Sequence, residues 1–181
     1  MPEAPLRLDS KSRNRMAVAA AAAVMLLISC PAVAETIQIV ALGASNTAGK
    51  GVDAGSAWPA RLEAMLRARG YDASVTNAGI SGDDTARMLA RVGSAVPSGT
   101  RLVILDKAAT NDRLRGINTE ANIAATSSSL RARNIKTVVI AAMHGWAGHR
   151  LQADGVHITA AGHAAVAARL LPQVTAAIGK R

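Results

Sequence analysis

The fold this sequence predicts is a three-layer α/β/α sandwich around a mostly parallel sheet of four to five strands, and three observations predict it. Four short runs rich in apolar and β-branched residues, Thr36–Leu42, Ala73–Thr76, Arg101–Asp106 and Lys136–Met143, show no polar alternation, the pattern of strands buried on both faces. Helical patterns separate these runs, which implies βαβ crossovers. After Glu35 no repeat, low-complexity linker or composition shift divides the chain, so residues 35–181 are expected to form a single domain.

The helices follow in order. Ser56 is expected to cap a helix carrying Leu62, Met65 and Leu66 that Gly70 stops. A shorter helix is expected to start near Thr85. Thr119 to Arg133 places Ile123, Ser127 and Leu130 on one stripe. Thr159 caps a last, alanine-rich helix running toward Pro172. In such folds the chemistry collects at the carboxyl ends of the strands. Ser45, the segment Asn77 to Gly82, and Asn111 each fall just after a predicted strand.

The first 34 residues are expected to be an export signal. Arg7, Lys11, Arg13 and Arg15 form a basic start, Met16 to Ile28 an apolar stretch, and Ala32-Val33-Ala34 a small-x-small cleavage site before Glu35. An apolar stretch of that length makes a helix of roughly 20 Å, too short for a hydrocarbon core of about 30 Å. This argues against a membrane span and for a periplasmic or secreted protein. Removal takes away four basic and two acidic residues and lowers the net charge from +9 to +7. Leu27-Ile28-Ser29-Cys30 also resembles a bacterial lipobox, so a lipoprotein anchored at Cys30 is the second reading. Cys30 is the only cysteine, and cleavage before Glu35 leaves no thiol for disulfides, thiolate metal sites or a Cys nucleophile.

Composition narrows the function. Half of the 181 residues are hydrophobic and only 18% are charged, which argues against disorder. Phe is absent and the aromatics are Trp58, Tyr71 and Trp146, so there is no platform for stacking bases and no nucleic-acid partner is expected. The positive charge is scattered as single arginines, the pattern of a solubilising surface.

The loop "GASNTAGKG", Gly43 to Gly51, admits two chemistries. A Walker loop needs a first glycine separated by four residues from a Gly-Lys pair, and a hydroxyl directly after the lysine. Here Ala44 and Gly51 occupy those positions, so the phosphate-cradling reading fails at both. The other reading makes Ser45 a nucleophile, which needs a base and a group to orient that base. "ADGVHITAAGH" supplies Asp154 and His157 three residues apart, ahead of a capped helix. His144, His149 and His163 are expected to be surface or locally bonded residues. Thr47 breaks the Gly-x-Ser-x-Gly spacing of an α/β-hydrolase elbow. Oxyanion donors are available in "NAGISGDDT", which places Gly82 in a tight loop, and in "ATNDRLRG", which offers the Asn111 amide.

These blocks, in this order, resemble the SGNH hydrolases, also called GDSL-type lipases and esterases, over nearly all of the chain after Glu35. The family's serine block matches at Ser45, its oxyanion glycine at Gly82, its Gly-x-Asn-Asp block at Asn111 and Asp112, and its Asp-x-x-His block at Asp154 and His157. The resemblance implies a flavodoxin-like SGNH fold and Ser45, His157 and Asp154 as nucleophile, base and orienting acid. It also implies an oxyanion hole of Ser45, Gly82 and Asn111, with no metal and no cofactor. The chain departs from the pattern in four places. Ala44 stands where Asp is frequent, Ala109 where the third block has Gly, and Ile158 where Pro is usual; only residues 144 to 153 separate the last strand from Asp154. Ala109 is expected to tighten the loop carrying Asn111. The expected activity is hydrolysis of short-chain carboxylic esters through an acyl-enzyme, on a small-molecule or glycan ester. Two alternatives stand beside it: a carbohydrate O-deacetylase of a periplasmic glycan, and a non-catalytic ligand-binding protein of the same fold.

Overall fold

The computed structural model describes residues 35–179; the expected signal segment, its cleavage site and Cys30 lie outside them. The apolar runs become four strands, β1 (Ile37–Gly43), β2 (Ala73–Gly79), β3 (Thr100–Asp106) and β4 (Lys136–Ile140). They make one parallel sheet in the order β2-β1-β3-β4. The period-2 geometry of a strand explains the missing alternation. Ile39, Ala41, Leu102 and Ile104 belong to one buried cluster and Val40, Leu42, Val103 and Leu105 to another, so both faces of the central strands need apolar side chains.

Seven α-helical segments are found among the described residues: α1 (Ser45–Ala48), α2 (Trp58–Ala68), α3 (Thr85–Ala95), α4 (Ala109–Arg115), α5 (Thr119–Ala132), α6 (Met143–Trp146) and α7 (Ala160–Ile178). Helices α2 and α7 pack together with the first cluster, through Trp58, Leu62, Leu66, Val166, Leu170 and Val174. Helices α3 and α5 pack together with the second, through Met88, Val92, Ile123 and Leu130. This is the expected three-layer sandwich, with four strands. The chain leaves β1 toward β2 and later crosses back to β3 on β1's other side. That reversal makes the crevice between β1 and β3 the switch point where open α/β sheets bind ligands.

Several local expectations need correction. Ser56 does not cap α2: it lies in a 3-10 turn (Ala54–Ser56), the cap position is Ala57 without a side-chain bond, and a proline opens the helix. The Ser56 carbonyl and hydroxyl instead accept bonds from Arg61. Helix α3 does start at Thr85, as expected, with Asp84 as its cap, its carboxylate accepting from the Arg87 N–H at 2.9 Å. In α5 the buried stripe is Ile123, Thr126 and Leu130, because Thr126 and not Ser127 takes the inward position. Strand β4 ends at Ile140, and Met143 belongs to α6.

Thr159 does cap α7, accepting from the Gly162 N–H, but the helix runs through Pro172 to Ile178. An interior proline costs about 3 kcal/mol. Val174 and Ile178 beyond it are 0% and 2% exposed, and each such burial contributes roughly 1.5–3 kcal/mol. The buried face therefore outweighs the proline.

Candidate active site

The site is assembled from loops that follow β1, β2 and β3 and from the segment entering α7. Gly43 ends β1 because no side chain fits there: a Cβ would collide with the Thr47 hydroxyl and lie 2.8 Å from the Asp106 Cβ. The chain then turns into α1, one turn of helix that presents Ser45 at its start and closes on Gly49 in the left-handed region at φ 83°.

His157 Nε2 lies 3.0 Å from Ser45 Oγ, and His157 Nδ1 lies 2.5 Å from Asp154 Oδ2. The other Asp154 oxygen accepts the backbone N–H groups of Val156 and His157, each at 2.9 Å. The ring bond first, and then these amides, hold the Asp154 carboxyl well below the usual carboxylate range. An ionised Asp154 keeps the proton on Nδ1, which leaves the Nε2 lone pair facing Ser45. His157 is 8% exposed, so its ring is shielded from bulk water.

Sequence reasoning missed the residue that joins these two segments. Asn46, next to Ser45, accepts the Ile158 N–H at 2.9 Å and donates to the Val156 carbonyl at 3.2 Å. It brackets His157 on both sides. The place of Asn46 in "GASN", directly after the serine, was the available signal. The Val156 carbonyl also contacts His144 Nε2 at 2.8 Å, so His144 is locally bonded, as expected, but at the site's edge. His163 is buried away from the site, its Nδ1 accepting the Trp58 N–H at 3.1 Å.

Gly82 lies exposed in a tight turn at φ 82°, a conformation that favours glycine. Asn111, in the first turn of α4, donates its amide to the Asp83 carbonyl at 2.5 Å and so ties the β3 loop to the Gly82 turn. An amide group has two hydrogens, and one remains for a ligand oxygen. Arg91 supports the same turn from α3. It pairs with Asp83 at 2.7 Å and donates to the Ala78 and Gly43 carbonyls at 2.9 and 3.1 Å. Asp112 is fully buried and accepts from the Thr85 N–H, the Thr85 hydroxyl and the Thr119 hydroxyl, which fixes α4 against α3 and α5. The expectation for Ala109 is corrected: it is the first helical residue of α4, and the left-handed residue is Ala108, at φ 47°.

A cleft of about 290 Å³ opens beside Ser45, with Asn111, Lys107, Arg113, Met143, His144 and Val156 in its wall. Gly82 lies outside that wall. Trp146 and Leu151, the large apolar residues of segment 144–153, pack against the core instead, and Arg169 stacks over the Trp146 ring at 5.4 Å.

A model of the GDSL-like lipase/acylhydrolase family matches residues 41–150. The chain belongs to this family. The match includes Ser45, Gly82 and Asn111 and stops before Asp154 and His157. Esterase TesA of Pseudomonas aeruginosa is 32% identical over 119 residues, which are 64% of this chain and 58% of that protein, so the chain spans little more than half of this curated relative. Among solved structures, that of TesA superposes with a TM-score of 0.71 at 24% identity over 77% of this chain and 99% of that one, a likeness of fold. AlinE4, a SGNH-hydrolase family esterase, gives a TM-score of 0.53 at 36% identity, over 58% of each chain. The parallel sheet flanked by helices agrees with this likeness of fold.

Proposed function

We propose that this family member is an exported serine hydrolase of short-chain carboxylic esters, working through an acyl-enzyme. One observation carries the proposal: the unbroken line from Ser45 Oγ through the His157 ring to the Asp154 carboxylate. In the proposed cycle Ser45 Oγ attacks the ester carbonyl carbon while its proton passes to His157 Nε2. Asp154 stabilises the imidazolium through Nδ1. The carbonyl oxygen, now an oxyanion, accepts from the Ser45 and Gly82 N–H groups and from the Asn111 amide. His157 returns the proton to the alkoxide oxygen, the alcohol departs, and the acyl group stays on Ser45. Water then attacks with His157 again as base, releasing the carboxylic acid and restoring the serine.

The short-acyl preference rests on the wall of the cleft. Each buried CH₂ contributes about 0.8 kcal/mol, and a long chain needs a continuous apolar groove to collect it. Trp146 and Leu151 are committed to the core, while Lys107 and Arg113 stand in the wall. Export, as a periplasmic or secreted protein with residues 1–34 removed and residues 35–181 as the working domain, rests on the sequence features of the N-terminus. Among the described residues, no helix is long and apolar enough to cross a membrane. An ester panel run on wild type and Ser45→Ala side by side tests the assignment. Turnover in the wild type that vanishes in the variant supports it, and equal turnover in both rejects it.

A further inference from the structure

Asp106 is a carboxylic acid that the cycle above leaves unused. It ends β3, lines the cleft beside Ser45 and is 5% exposed. One of its oxygens accepts the Thr47 hydroxyl at 3.1 Å, the other accepts the Ala108 N–H at 3.1 Å, and the Ala44 N–H adds a weaker favourable interaction. Burial pushes the carboxyl above its ordinary value, so keeping an acid here costs stability that an apolar residue would not. What the acid provides is geometric. Ala44 and Thr47 flank Ser45, and Ala108 is the left-handed residue from which α4 starts with Asn111 in its first turn. Ala44 and Ala109 are also two of the places where this chain departs from its family's pattern.

We propose that Asp106 is a positioning residue: it clamps the serine loop to the start of α4, setting the distance between the Ser45 N–H and the Asn111 amide around the oxyanion. This rests on the ester-hydrolase reading, and it adds that the two halves of the oxyanion site are held together from below by one side chain. The clamp acts on a charge that exists only in the transition state, so its loss lowers kcat and spares KM.

The test is a set of variants assayed on a butyryl nitrophenyl ester, with hydrogen exchange at the Ala108 amide followed by NMR on the same proteins. Misplacement by about 1 Å can cost on the order of 10²-fold. Asp106→Ala is therefore expected to lose about 10- to 100-fold in kcat with KM within about threefold, and to lose protection at Ala108. Thr47→Val, which removes one arm, is expected to lose a smaller factor and to add nothing in combination with Asp106→Ala. Asp106→Asn still accepts from Ala108 and can donate to the Thr47 hydroxyl, so it should keep most of the wild-type rate. Wild-type kcat in folded Asp106→Ala, or in Thr47→Val should the first variant not fold, overturns the positioning role. Protection at Ala108 that survives Asp106→Ala overturns the clamp itself. A wild type without esterase activity rejects the ester-hydrolase reading and the positioning role together, while the exchange result still decides whether the clamp exists.

Discussion

At the scale of single residues, the proposed catalysis rests on three side chains that are poor catalysts alone. A serine hydroxyl needs its proton removed, a histidine needs the correct tautomer, and a carboxylate in water fixes nothing. Ser45→Ala and His157→Ala are each expected to lose roughly 10³-fold or more in kcat, with thermal unfolding close to wild type because Ser45 starts α1 just after β1 and His157 lies in the loop entering α7, outside both core clusters. Steady-state kinetics on purified, calorimetrically matched proteins checks this. Asn46 acts one step removed, through the Val156 carbonyl and the Ile158 N–H that bracket His157. Asn46→Ala should lower kcat by about 10-fold, and a double-mutant cycle with His157→Ala should show no further loss. Additive losses would mean that Asn46 acts on something other than the histidine.

At the scale of elements, the strain in the β3 loop falls on one residue. A non-glycine residue in the left-handed region costs roughly 1–2 kcal/mol, and Ala108 sits there at φ 47° while Ala109 is already helical. Ala108→Gly should therefore raise unfolding stability, by about 1 kcal/mol, after the added freedom of glycine in the unfolded chain is discounted. Ala109→Gly, placed at a helical position, should lower it. Urea denaturation of the two variants distinguishes them, and the opposite order would move the strain away from Ala108. Helix α4 is short, and Asp112 holds it through Thr85 and Thr119.

At the scale of the whole molecule, a buried histidine links stability to pH between its unfolded and folded pKa values. His163 is fully buried under α2, and burial, with a smaller contribution from Arg61, lowers its pKa from 6.5 to about 4. The unfolded chain takes up a proton near pH 6.5 that the folded chain refuses until about pH 4. The unfolded state therefore binds more protons in this window, and stability falls as pH is lowered through it, with a limiting slope of about 1.4 kcal/mol for each pH step of one. His163→Leu should flatten that slope, while costing stability at neutral pH by leaving the Trp58 N–H unbonded. Denaturation at a series of pH values measures both effects; an unchanged slope in the variant would assign the acid sensitivity elsewhere. The cleft adds a prediction about substrates. kcat/KM should peak at acetyl or butyryl esters and fall as the acyl chain grows, and a maximum at long chains would overturn the short-acyl proposal.

How much of this was legible in the sequence depends on the range of the forces involved. The four strands, the parallel sheet and the order of the motif blocks were readable, because apolar runs and turn residues are local signals with a fixed period. Ser45, His157 and Asp154 were nameable as candidates through local motifs and a family resemblance. What no local signal carries is contact between distant segments. The sequence does not show that Asn46 reaches across 110 residues to Val156 or that Asp106 meets Thr47. Nor does it show that Arg91 braces the Gly82 turn, or that Trp146 packs against the core. It also misplaced the cap of α2 and the end of α7. A cap depends on which of several neighbouring polar residues faces the free N–H groups, and a helix survives Pro172 only if the residues beyond it are buried. By itself, then, this sequence determined the layers and the family and named the candidate reacting groups, which follow from periodicity, residue chemistry and the order of the motif blocks. Only the tertiary structure decided their distances, their supports and the shape of the cleft, because those arise where separate loops converge at the carboxyl ends of the strands.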